Sequence, residues 1–448
     1  MAIDVNGRTI NSTNYDHPTE PNLNDLHKTM EYNALGQPVL RTTLKVGQTD
    51  AFGRIRMSSP FTLGDYKHLY GLDPNFYDKT FNGGSVAFQS NKACARLTTS
   101  NNSASRVVHQ TKFYHHYMPG KSQQILSSFC FYAATANVTK RTGYFDDNNG
   151  IFFEQAGDGT LSWVIRSYVS GAPAENRVTQ ANWNIDTCNG QGGSLFSIDI
   201  TKTQLTFIEF QWLGVGAVTV GFVHDGAYIP CHIFYHSNNL TTVYMSSPNL
   251  PVRCEILNTG TTAGAYFDQI CSTVVSEGGY VEAGQDWAVN SPASRALNAG
   301  ATLPVLAIRL KTAFNTYPNR MIVRMGSLNV FGTQDNMEWK LIKLSGISGL
   351  TTGTSWVPVN DGSGVEYNAG ATAFTGGEMI DGGYLSATTQ GSQKSAGSPP
   401  SDLPSQAKKN YIVQNYDSTD SEIFVVVVTN IGDTNGTVRV SAQWREIY

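Results

Sequence analysis

From about residue 81 to residue 345 the chain repeats one pattern, a short run in which apolar and polar side chains alternate, followed by a turn. It is clear at 124–132 (QILSSFCFY), 150–154 (GIFFE), 161–167 (LSWVIRS), 205–212 (LTFIEFQW), 217–223 (AVTVGFV) and 228–235 (YIPCHIFY), and it returns at 252–257, 303–310, 320–325 and 339–344. A period of two sends successive side chains to opposite faces of an extended strand. Asp-Gly at 158–159 and 225–226 and Pro-Asn at 248–249 supply the turns between runs. No run of about a dozen residues in this stretch carries a helical stripe, so alternating strand–helix units are excluded. The expected fold is all-β, a jelly-roll-like β-sandwich over 81–345. Composition agrees: 43 Gly provide turns, and 21 Phe, 21 Tyr and 7 Trp provide core, while only 15% of residues are charged.

The two ends read differently. Residues 1–80 are expected to form an extended N-terminal arm and connector that attaches the protein to its partners, with one or two helical turns at 22–32 (NLNDLHKTMEY). Such an arm buries too little apolar area to order itself alone. Residues 346–411 are rich in Gly, Ser and Thr and read as a linker. Residues 411–448 return to strands, so 346–448 is expected to be a smaller C-terminal β module, its last two strands joined as a hairpin through 432–436 (GDTNG). The run 423–428 (IFVVVV) is too apolar to be left as an open edge and is expected to be buried.

The formal net charge of -4 and the absence of a long Lys/Arg run argue against nucleic acid as a partner. No stretch approaches the ~18 consecutive apolar residues of a membrane span. The first residues lack the basic-then-apolar pattern of a secretory signal, so synthesis in a host cytoplasm and release by lysis are expected. None of the six Cys (94, 130, 188, 231, 254, 271) forms a C-x-x-C pair, so zinc knuckles and thioredoxin-like motifs are not indicated. No cofactor is expected.

Few residues invite a chemical reading. Asp146 and Asp147, with Asn148, Asn149 and Glu154 nearby, could flank a sugar bond or hold a cation. An Asp/Asn-rich turn bonded to its own backbone explains them more simply. Trp183 is a candidate sugar-stacking residue, together with Trp163, Trp212, Tyr144 and Tyr168, against the commoner fate of core packing. His232 and His236 lie four apart on a strand, about 13 Å, too far for one metal ion. No catalytic and no metal-binding residue is assigned.

Four ordered blocks carry a resemblance. They are 50–59 (DAFGRIRMSS), 143–154 (GYFDDNNGIFFE) followed by 178–186 (VTQANWNID), 210–226 (FQWLGVGAVTVGFVHDG) and 244–256 (YMSSPNLPVRCEI), with 444–447 (WREI) at the end. Together they resemble a family of virion structural proteins of tailed phages, of the marine and cyanobacterial type, with relatives in large DNA viruses. The strand ending in Asp-Gly at 225–226 is also similar to concanavalin and laminin-G jelly rolls. The resemblance implies a component of the virion, capsid-associated or of the tail or fibre, acting in assembly and not as an enzyme. Other capsid or tail proteins are the implied partners, and copies of the chain itself are expected from the symmetric homo-oligomer default, as a trimer by analogy with fibres. The alternative is a host-glycan-binding adhesin of a tail fibre or spike. Asp50, Phe52, Arg54 and Arg56 of the first block are the candidate contact residues, with Arg54 and Arg56 on one strand face that either docks on a carboxylate patch of a neighbour or stays solvated and pairs internally with Asp50 or Asp65. Deleting residues 1–45 is expected to abolish incorporation while leaving the sandwich folded.

Overall fold

The structure is a computed structural model. It describes residues 59–448 apart from 262–263, 387–391 and 397–410, and the backbone alone of Ser392–Ala396 and of four short strands before residue 59. Those four form two separate antiparallel pairs, Ala2–Ile3 with Thr9–Ile10 and Thr29–Tyr32 with Pro38–Arg41. Chain contacts divide the protein into one unit of residues 1–59 and one of residues 60–448.

The larger unit is all-β and jelly-roll-like, built from two sandwiches of antiparallel sheets. The first sheet runs, strand by strand, Ala227–Phe234, Val218–His224, Gln204–Phe210, Ser122–Cys130, Tyr266–Glu277, Cys94–Thr98 and Ser85–Gln89, with Pro60–Lys67 also pairing on Tyr266–Glu277. The second runs Ala174–Thr179, Leu161–Ser167, Gly150–Gln155, Val138–Phe145, Val252–Asn258, Ser105–Thr111 and Phe76–Phe81. Neighbours that are remote in sequence, such as Val138–Phe145 beside Val252–Asn258, show the chain crossing between the two sheets.

The inner faces meet in one core that includes Ile125, Phe129, Phe153, Trp163, Phe222 and Ile256, each at most 1% exposed. Phe131 stacks parallel on Phe153 across it, with ring centroids 5.9 Å apart. Removing one such ring costs about 3–5 kcal/mol, because the cavity left behind relaxes only in part.

The second sandwich packs a sheet of Gln285–Asn290, Gly436–Ile447, Ile322–Thr333 and Ser392–Ala396 on another of Val357–Pro358, Val365–Asn368, Thr302–Leu310, Ile423–Asn430, Met337–Leu344 and Glu378–Leu385. Ile423–Asn430 is a central strand, and its two faces explain its composition. Phe424, Val426 and Val428 enter the core between the sheets, while Ile423, Val425 and Val427 face a second cluster with Leu350 and Ala371.

Several expected boundaries move. The first sandwich ends at Glu277 and the second begins at Gln285, so the strands between 302 and 344 belong with the C-terminal module and not with 81–345. Strand periodicity is blind to which partner a strand chooses, and that choice sets the boundary. Pro60–Lys67 and Phe76–Phe81 are sheet strands of the first sandwich, not a connector. The turn at 432–436 does not close a hairpin, because Ile423–Asn430 and Gly436–Ile447 lie in opposite sheets. Of the expected helical turns at 22–32, Thr29–Tyr32 is strand; residues 22–28 lie outside the described residues.

Candidate functional site: an arginine–carboxylate face

The block at 143–154 folds as two neighbouring strands whose register sets Gly143 opposite Phe152 and Gly150 opposite Phe145. At each glycine the paired strand comes too close for a side chain. A Cβ on Gly150 would lie 2.1 Å from Phe145 Cβ, and one on Gly143 would lie 2.5 Å from the Ile151 carbonyl oxygen. The two rings sit on the outer face of the second sheet, with centroids 4.6 Å apart and planes tilted by 40°, and with Val164 form a small buried cluster.

A layer of guanidiniums covers these rings. Arg253 lies 5.3 Å above Phe145, Arg166 lies 5.0 Å above Phe152 and Arg141 lies 5.5 Å above Phe152. Such cation–π contacts strengthen once desolvated. The same guanidiniums are laced together by carboxylates. Arg141 donates from Nε to Glu154 and from Nη1 to Glu255, at 2.7 and 2.9 Å. Arg106 Nη2 bridges Glu255 and Asp147, at 2.7 Å each, and Arg253 Nη1 reaches the same Asp147 oxygen at 2.7 Å. Arg177 closes on Glu154 at 2.8 Å, and Arg166 on Glu175 at 2.8 Å. The second sandwich joins here: the Tyr416 hydroxyl donates to the other Asp147 oxygen, and the Tyr416 ring lies 5.2 Å below the Arg253 guanidinium.

A cavity of about 420 Å³ opens among Arg106, Arg141, Asp147, Arg166, Glu175 and Glu255. Burial alone would raise the Glu255 carboxyl, but Arg106, Arg141 and Arg253 outweigh it and hold it at about 2. Asp147 is likewise held well below the carboxylate range, with burial overcome by Arg253 and Arg106. Glu175 is lowered too, its desolvation outweighed by Arg166, Arg141 and Arg177. These three acids are thus anions at any ordinary pH. Sugar-bond hydrolysis by a carboxyl pair needs one partner raised so that it can give a proton, and the three have been driven the other way.

Asp146 and Asp147, adjacent in sequence, have different fates. Asp146 Oδ1 accepts from the backbone N–H of Asn148 and Asn149 at 2.8 Å, the self-bonded turn. Asp147 joins the arginine network. Trp183 is 5% exposed, packs against Phe222 and donates its Nε1–H to the Val178 carbonyl, so its ring belongs to the core and offers no face to a glycan. Trp163 and Tyr144 are fully buried as well. His232 accepts from the Asn184 backbone, and His236 stacks on Tyr244. Asp50, Phe52, Arg54 and Arg56 lie outside the described residues.

Sequence reading did not single out Arg106, Arg141, Arg177, Glu255 or Tyr416. Arg253 and Glu255 are two apart in VRCEI and so share a strand face, a signal that was available. That Arg106 would lie across from them, 149 positions from Glu255, was not.

No family model and no curated protein sequence matches the chain. Among solved structures, a protein of unknown function from Shewanella oneidensis MR-1 aligns at 10% identity over 51% of this chain and 90% of its own, with TM-score 0.33. A β-1,3-glucanase from Mycobacterium marinum aligns at 10% identity over 48% and 98%, with TM-score 0.33. A legume lectin-like domain from Entamoeba histolytica aligns at 10% identity over 48% and 97%, with TM-score 0.29.

Proposed function

We propose that this chain is a structural component of a tailed-phage particle, capsid-associated or of the tail or fibre, acting through protein contacts and turning over no substrate. One observation carries the reading: what becomes of the ionisable residues in the family-like blocks. Asp147 and Glu154 of GYFDDNNGIFFE meet Arg253 and Glu255 of SSPNLPVRCEI on one sheet face, and all four are engaged in internal pairing. Tyr416 then fastens the second sandwich to that face. Motifs that build a catalytic centre present a nucleophile or a proton donor to a cavity. These motifs hold β-structure together.

On this reading residues 1–45 attach the protein to the particle, and its partners are copies of itself, as a trimer, and other capsid or tail proteins. The protein is made in the host cytoplasm and ends in the virion. The test is mass spectrometry and antibody labelling of gradient-purified particles from lysed host cells. The chain is expected at a fixed stoichiometry that survives a high-salt wash, and a version lacking residues 1–45 is expected to fold but stay out of particles. Recovery of the full-length chain only in the particle-free supernatant removes the proposal.

A second reading, a host-glycan adhesin, has its own support at a place other than Trp183. On the outer face of the first sheet Tyr228 is half exposed, its ring braced edge-on by Phe207 at 5.0 Å and its hydroxyl donating to Gln124 Oε1 at 3.3 Å. A braced, exposed aromatic with a neighbouring amide is suited to stacking on a sugar ring. Glycan-array signal that disappears in Tyr228→Ala supports this reading, and an array with no signal above background removes it.

A further inference from the structure

Cys188 and Cys231 sit sulfur to sulfur at 3.2 Å, and neither is exposed to solvent. Cys231 is the extra residue of a bulge in the edge strand Ala227–Phe234, where Val220 pairs with His232 and the next residue, Gly221, with Pro230. Cys188 belongs to the segment 184–203, which carries the chain from the second sheet to the first. Backbone bonds hold this segment along the edge strand. Ile185 and Asp186 both donate from backbone nitrogen to the Cys231 carbonyl, at 3.0 and 3.2 Å. The Asn184 side chain exchanges two hydrogen bonds with the Ile233 backbone, at 2.9 Å each. The Asp186 carboxylate fixes the turn that follows by accepting from the backbone N–H of Cys188 and Ser194, at 2.7 and 2.8 Å. The main chain therefore brings the two thiols together on both sides. Among the described residues no other two thiols touch; the Cys254 sulfur, for example, meets the Thr142 hydroxyl.

We propose that Cys188 and Cys231 are a disulfide-forming pair that staples the crossing segment to the edge strand once the protein meets an oxidant of the disulfide class, such as oxidised glutathione. The inference stands apart from the particle reading. Chemically, both S–H bonds break and one S–S bond forms. Two electrons and two protons pass to the oxidant, whose own disulfide becomes two thiols. A disulfide needs sulfurs about 2.05 Å apart, so the pair must close by roughly 1 Å. Burial, and then the contact with Cys188, push the Cys231 thiol well above its ordinary value, so little thiolate exists in the closed state. Exchange therefore proceeds when the segment opens or as the chain folds. The bond closes a loop spanning 43 positions, a length at which cross-linking is expected to raise the melting temperature by about 5–10 °C.

The test uses the full-length protein, incubated with oxidised glutathione in urea below the unfolding midpoint so that the segment samples its open state. The sample is quenched in acid, unfolded in an alkylating reagent, digested and mapped without reduction. The expected result is one cross-linked peptide pair containing Cys188 and Cys231, about 2 Da lighter than the two free peptides, and a raised melting temperature that reverts on reduction. Cys271→Ser, at the exposed cysteine, is expected to keep both effects and Cys231→Ala to lose both. Six alkylated cysteines, glutathione adducts without the cross-link, or a different pairing overturn the proposal.

Discussion

Glu255 shows at the scale of one side chain how the outer face is held. Its carboxylate is buried and accepts from Arg106 and Arg141. Removing one partner of a buried ion pair leaves the other charges uncompensated, which costs about 3–5 kcal/mol. Glu255→Gln is therefore expected to destabilise the protein by that order at neutral pH. The pH dependence has a definite sign. The folded value, about 2, lies below the ordinary 4.5, so the stabilisation is fully present above pH 4.5 and is lost as pH falls through about 2. Urea unfolding of the two proteins across pH 2–7 checks this: the gap between wild type and Glu255→Gln should shrink steadily below about pH 4.5. A gap that stays constant down to pH 2 contradicts the ionised, arginine-held state of Glu255.

At the scale of elements, the block 143–154 separates what a sequence discloses from what it conceals. The strands were legible, because the alternation in GIFFE and the turn residues DDNN are local signals. The burial of IFVVVV was legible for the same reason, since an apolar run of that kind has no stable exposed form. Partner choice was not legible. Nothing in GYFDDNNG says that the glycines face Phe152 and Phe145, or that the acids after them serve Arg106 and Arg253 on remote strands. The boundary near 345 failed similarly, since strands at 302–344 pair with strands beyond 420. The glycines yield a sharp contrast. Gly150 has φ +146° and a Cβ there would run into Phe145, whereas Gly226 has φ +77° and open space around it. Gly226→Ala is expected to cost about 1 kcal/mol, from backbone conformation alone. Gly150→Ala adds a clash with Phe145 Cα and Cβ and the Tyr144 carbonyl of the paired strand and is expected to cost about 3 kcal/mol or more. Thermal melts of the two variants compare them, and equal losses would show that the paired strand is not tightly seated against Gly150.

At the scale of the larger unit, two complete β-sandwiches are coupled through a polar seam. Each has its own apolar core, so neither depends on the other for burial. The seam includes Tyr416 on Asp147, Arg320 lying 4.6 Å over the Tyr114 ring while it holds the Asn415 and Tyr416 carbonyls of its own sandwich at 2.8 and 2.7 Å, Lys112 at 3.6 Å from Glu422, Lys79 at 3.9 Å from Asp417, and Phe113 edge-on to Tyr411 at 5.8 Å. Hydrogen bonds to charged groups contribute about 1.5–3 kcal/mol each when desolvated, and more exposed pairs contribute less. Tyr416 on Asp147 is the charge-assisted hydrogen bond among these contacts, and the rest are looser ion pairs and ring contacts, enough to couple the unfolding of the two sandwiches but too few to survive the loss of Tyr416 and Arg320. Scanning calorimetry of the wild type is expected to show one transition. The double variant Tyr416→Ala, Arg320→Ala is expected to split it into two, with the lower one shifted down. A double variant that still melts in a single undiminished transition would mean that coupling runs elsewhere. The proposed particle role adds a second readout: a component that holds its neighbours in register needs its two sandwiches to move as one, so on that proposal the same double variant is expected to reduce recovery in purified particles, although each sandwich keeps its own core.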